Sequence, residues 1–109
     1  MINNEFFKGK IFSFNNEIEY AQGSIVSKII LKKETGNVTL FSFDKGQNLS
    51  EHTAPFDAMI QVIDGQAEVT INKMPFILKA GENIIMPANI PHAVDAIEKF
   101  KMVLTMIKS

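Results

Sequence analysis

A chain of 109 residues is one domain's worth of polypeptide, long enough to bury a single core. It is 46% hydrophobic and 21% charged, with a net charge of −1 and a mean hydropathy of +0.07, an ordinary globular composition. The lack of cysteine excludes disulfides, thiolate catalysis and Cys-rich zinc sites. Arginine, the residue best shaped for bidentate phosphate and guanine contacts, is also missing, which speaks against a nucleic-acid partner or a nucleotide cofactor.

The first residues have no basic segment followed by a long apolar run, and no stretch reaches the length of a transmembrane helix. The expectation is therefore a cytoplasmic protein without membrane contact. Residues 3–8 offer at most one helical turn. From there on, short apolar or alternating runs are broken by turn residues. Residues 24–31 are rich in Ile and Val. Residues 38–43 alternate, with Val38, Leu40 and Ser42 on one side and Thr39, Phe41 and Phe43 on the other. Residues 58–63 and 66–71 flank Asp64-Gly65, which reads as a hairpin turn, and Asn72-Lys73 reads as a second. Runs at 76–78, 84–86 and 100–107 complete the set. The prolines Pro55, Pro75, Pro87 and Pro91 fall near strand starts or in loops. Strands at this spacing predict an all-β sandwich or barrel of antiparallel strands, with closure favoured because an open sheet leaves exposed edges.

The residues with chemistry are few. His52 and His92 are the only histidines, and each follows a turn signal. Around them the chain resembles the cupin family. Gly46, five residues, His52-x-Ala54, three residues, Ala58, six residues and Gly65 follow the spacing of the first cupin motif (residues 46–65). Gly81, five residues, Pro87-x-Asn89, two residues, His92, three residues and Ala96 follow the second (residues 81–96). The resemblance implies one cupin jelly-roll domain spanning residues 1–109. In metal-binding cupins the first motif supplies two histidines and a glutamate and the second supplies one more histidine. Here the second histidine position is Ala54 and the glutamate position is Ala58. Asn89 stands at a glycine position and Ala96 at an asparagine position.

Alanine has no lone pair to donate, so the implied site shrinks to His52 and His92. Zinc sites need three or four protein ligands, and the iron facial triad needs two histidines and a carboxylate. Asp57, one position before the lost glutamate, is the best substitute carboxylate, although strand parity points it outward. Asp95 and Glu51 are weaker ones. Met102 and Leu104, with Met106, share one face of the last strand-like run. With Ala54, Ala58, Ile60 and Met86 they are expected to line a widened apolar cavity.

The sequence thus predicts a small-molecule-binding cupin with a weak two-histidine site for a divalent transition metal (Zn, Fe, Mn or Ni). Three other readings stay open. One is a metal-dependent dioxygenase, isomerase or decarboxylase using a substitute carboxylate. Another is a metal-free enzyme with histidine as general base, and the last is an interaction module. The resemblance also implies a homodimer, with residues 11–14 and 24–31 as the interface.

Overall fold

β-Branched and aromatic side chains in short runs favour extended backbone. The computed structural model, which describes residues 6–108, is correspondingly built from eight strands. These are β1 (Ile25–Lys33), β2 (Gly36–Phe43), β3 (Asn48–His52), β4 (Asp57–Ile71), β5 (Met74–Lys79), β6 (Asn83–Met86), β7 (His92–Asp95) and β8 (Phe100–Ile107). All their pairings are antiparallel. Among the described residues there is no α-helix, only a 3₁₀ turn at Phe14–Asn16, and hence no helix long and apolar enough to cross a membrane. Of the expected helical turn, residues 3–5 lie outside the described residues and residues 6–8 are not helical.

The strands run β1-β2-β8-β4-β7-β3 across a sheet curled into a barrel, with β5 and β6 also on β4. Strand β4 belongs to both walls. Its first half pairs with β6 and β8, and its second half with β5 and β7. The expected hairpin at Asp64-Gly65 does not exist. The chain passes straight through, and the register against β8 slips between Val62 and Asp64. Gly65 has φ of +75°, and an added Cβ would overlap the Lys99 carbonyl oxygen and lie 2.8 Å from the Phe100 Cα. The glycine that signals a tight turn is equally what a bulge requires, and here the bulge bends one long strand from wall to wall. The expected turn at Asn72-Lys73 does form, with both residues at positive φ (50° and 69°), as a two-residue primed turn demands.

The barrel interior holds Phe43, Ala58, Ile60, Val62, Ala67, Val69, Leu78, Met86, Val94, Ala96, Phe100 and Met102. The rings of Phe43 and Phe100 stack with centroids 4.6 Å apart and close one end. A second cluster of Ile18, Ile30, Leu40 and Val103 lies on the outer face of the β1-β2-β8 wall, with Phe6 and Phe14 packed on it. The alternation read over residues 38–43 therefore faces two cores. Phe41 and Phe43 point into the barrel, Leu40 points under the N-terminal arm, and Ser42 on that side donates a hydrogen bond to the Glu19 carbonyl oxygen at 2.8 Å.

Candidate functional site

The two histidines arrive from different strands. His52 ends β3 and His92 opens β7. The two are paired in register, and His92 also stands opposite Ile71 of β4. Backbone hydrogen bonds tie the two motifs together, beside the pair and at the opposite end of β3 and β7. The Asn89 N–H donates to the Ala54 carbonyl (2.7 Å), the Gly46 N–H to the Ala96 carbonyl (2.9 Å) and the Ala96 N–H to the Gln47 carbonyl (2.9 Å). Asn89 occupies the left-handed region at φ +64°. Asparagine tolerates that region better than other residues with a Cβ, which explains why it can stand where the motif has glycine.

The ring nitrogens specify the chemistry. His52 Nδ1 lies 2.8 Å from the Ser50 carbonyl oxygen and His92 Nδ1 lies 3.2 Å from the Ile90 carbonyl oxygen. Each ring thus folds back on the carbonyl two residues earlier. A carbonyl only accepts, so each Nδ1 carries the proton. In the neutral rings both Nε2 atoms are then bare, and they face each other at 3.1 Å with the rings at 71°. Two lone pairs at this distance repel, and one proton or one cation between them turns the repulsion into attraction. His92 is 6% exposed. Burial, reinforced by the neighbouring His52, holds its pKa below the usual histidine value against the opposing effect of the hydrogen bond it donates to the Ile90 carbonyl. The neutral, lone-pair-donating form is thereby favoured.

Behind the pair lies a cavity of about 50 Å³ lined by Leu49, His52, Ala54, Ala58, Ile60, Met86, His92, Val94, Met102, Leu104 and Met106. All six residues expected to line a pocket are there. Met106, read on one face with Met102 and Leu104, lines it too, whereas Leu49 and Val94 were not foreseen, because β3 and β7 are too short to show periodicity. The cavity is narrow, not widened. The space freed at Ala58 is flanked by Met86 on one side and Met106 on the other, and flexible thioether side chains fill such gaps well.

Asp57 does not join the pair. It is exposed, and its Oδ1 accepts a hydrogen bond from the Ala88 N–H at 2.8 Å, pinning the start of β4 to the β6–β7 loop. Glu51 turns to Lys73 at 3.2 Å, and Asp95 is exposed. Among the described residues no three side chains of His, Cys, Asp or Glu converge. The donors available to a metal are therefore the two Nε2 atoms. At zinc–nitrogen distances, two imidazoles on one tetrahedral ion stand roughly 3.3–3.4 Å apart, a few tenths of an ångström from the spacing found. The pair fits a shared ion, but as half of a full ligand set.

A larger groove of about 570 Å³ lies where the N-terminal arm crosses β1, lined by Phe6, Phe7, Ile11, Phe12, Lys28 and Ile29 among others. Lys28 pairs with Glu17 at 3.0 Å, and Lys10 lies over the Phe7 ring at 4.8 Å. No convergent polar pair marks it as a site of chemistry.

A curled antiparallel barrel whose mouth holds histidines from two motif loops defines a class of small β-barrel binding proteins and enzymes. The chain belongs to the cupin family, whose cupin-domain model matches residues 39–108. A conserved protein of unknown function from Streptococcus pyogenes is 36% identical, with a TM-score of 0.91 over 99% of this chain and 94% of that one. A cupin 2 conserved barrel domain protein from Leptotrichia buccalis is 45% identical, with a TM-score of 0.87 over 89% of this chain and 47% of its own length. A cupin superfamily protein from Desulfitobacterium hafniense shares the fold at 21% identity and a TM-score of 0.89, over 100% and 99% of the two chains. No curated protein matches the sequence.

Proposed function

We propose that this cupin binds a small, mainly apolar molecule carrying one O–H group, with the apolar part in the barrel and the O–H at His52 and His92. The observation that carries this reading is the pair of bare Nε2 atoms at the mouth of an otherwise apolar cavity. Apolar walls with a few converging polar atoms are the usual make-up of a small-ligand site. Because both nitrogens are acceptors, the complementary group is a donor, a hydroxyl or an acid that gives its proton to the pair. A cavity of about 50 Å³ restricts the buried part to a few heavy atoms. Binding of isobutyric acid and isobutanol, followed by the imidazole ¹⁵N shifts, tests this. Saturable movement of the His52 and His92 Nε2 signals is expected, with affinities on the order of millimolar for so small a ligand. Unmoved Nε2 signals with both probes overturn the reading.

A second reading is favoured by the 3.1 Å spacing. The two imidazoles hold a divalent transition metal (zinc, iron, manganese or nickel), weakly because Ala54 and Ala58 supply no donor. Such an ion would supply Lewis-acid polarisation of a ligand oxygen, while the chain's own residues orient the ligand and exclude water through the Leu49, Ile60 and Leu104 walls. Elemental analysis of protein purified without a metal-affinity column decides the strength of the site. Sub-stoichiometric metal is expected, and a full equivalent that survives dialysis contradicts a weak one.

The same reading includes a homodimer. Strand β1 is a sheet edge, and Phe7, Ile11, Phe12, Ile29 and Leu31 beside it are exposed. A second copy of this chain would both pair the edge and cover the apolar surface.

A further inference from the structure

The donors lost from the motif positions are a histidine and a glutamate, and with the glutamate went the one negative charge. Among the described residues lining the cavity there is no aspartate or glutamate. What the cavity has instead is sulfur. Met86, Met102 and Met106 line it together with the two imidazoles. Met86 and Met106 stand in register on either side of Ala58, one from β6 and one from β8. The position from which a carboxylate would reach is thus bracketed by two thioethers. Met86 and Met102 are buried, at 4% and 1% exposure.

Charge and donor softness then choose between ions. The cost of desolvating an ion rises with the square of its charge, so with no carboxylate to compensate it, a divalent ion costs about four times what a monovalent one does in the same apolar cavity. Thioethers are soft, polarizable donors that select Cu(I) over zinc, iron or manganese. Against this stands the ordinary role of methionine as core filler. Core filling explains Met102, deep in the barrel opposite Val62. It does not account for two bare Nε2 atoms opposed at 3.1 Å on the same cavity.

We propose that the cavity is a Cu(I) site, with His52 and His92 Nε2 and the thioethers of Met86 and Met106 as the donors. This rests on the reading of the histidine pair as a binding centre and names the ion that the whole cavity prefers.

The test is an anaerobic titration of the purified chain with Cu(I) in competition with bicinchoninate, beside a zinc titration. Both are run on the unmodified chain, on His52→Ala and on the double variant Met86→Leu, Met106→Leu. Circular dichroism and melting temperature report whether each variant is folded. One Cu(I) per chain is expected, bound at least a hundredfold more tightly than zinc. His52→Ala should lose both ions. The double methionine variant should lose at least tenfold in Cu(I) affinity with zinc unchanged, and sulfur scattering at the copper absorption edge should disappear with it. Should that variant not fold, the sulfur scattering of the unmodified chain decides alone. Zinc binding without a Cu(I) preference, or Cu(I) binding without sulfur scattering, overturns this proposal and leaves the histidine centre standing. If neither ion binds but the O–H probes do, the metal reading falls and ligand binding survives. If nothing binds, both readings fall.

Discussion

At the residue scale, His92 ties the site to stability. Its pKa is lowered in the folded chain, chiefly by burial, so between the folded and unfolded values the unfolded chain binds more protons. Stability is then fully present above the unfolded value of 6.5 and is lost as pH falls below it. Melting temperatures at pH 7.5 and 5.5 should drop more for the unmodified chain than for His92→Gln, and equal drops contradict the assignment. The two alanines can be tested from the opposite side. Ala58 is buried at 4% exposure, so Ala54→His with Ala58→Glu should destabilise the metal-free barrel by about 2–4 kcal/mol, the cost of burying a charge without a partner. The same variant should gain melting temperature sharply with added zinc, because the four donors are then complete. A variant indifferent to zinc shows that the two positions do not point at the histidines.

At the element scale, β4 carries the architecture, and Gly65 is where it turns from one wall to the other. Gly65→Ala adds a Cβ into the Lys99–Phe100 backbone at a positive φ. About 3 kcal/mol of stability should be lost from strain and overlap together, measured by urea unfolding. A loss below half of that means the bulge relaxes easily. Asn89 offers the contrasting case. It tolerates φ +64° but a branched residue does not, so Asn89→Val should cost about 1–2 kcal/mol while Asn89→Gly is close to neutral.

At the scale of the whole molecule, β2 and β8 are covered on both faces, inside by the barrel core and outside by the arm that brings Ile18, Phe6 and Phe14 onto Leu40 and Val103. Ile18→Ala should cost about 2–4 kcal/mol although Ile18 lies outside every strand, because it empties a buried position of the second cluster. Beside the arm the surface stays apolar. Light scattering at micromolar concentration should give twice the chain mass, and Ile29→Glu with Leu31→Glu should halve it; a monomer before substitution removes the dimer.

The β class, most strand positions, the Asn72-Lys73 turn and part of the cavity lining were legible in the sequence. They depend on period-two alternation, turn chemistry and motif spacing, all of which are local. Of the residues expected in the cavity, Met102 and Leu104 came from that alternation, and Ala54 and Ala58 came from their motif positions. Decided only by the tertiary structure was whether Gly65 turns the chain or bends it, since a positive φ serves both and the choice depends on how closely β8 approaches. Packing likewise closed the room freed at Ala54 and Ala58 to about 50 Å³. Neighbouring backbone also took the Asp57 carboxylate, through the Ala88 N–H. Most of all, the fold set two lone pairs face to face. The sequence names two imidazoles, but only the carbonyls of Ser50 and Ile90, reached by each ring from its own loop, fix which nitrogen is bare and where it points.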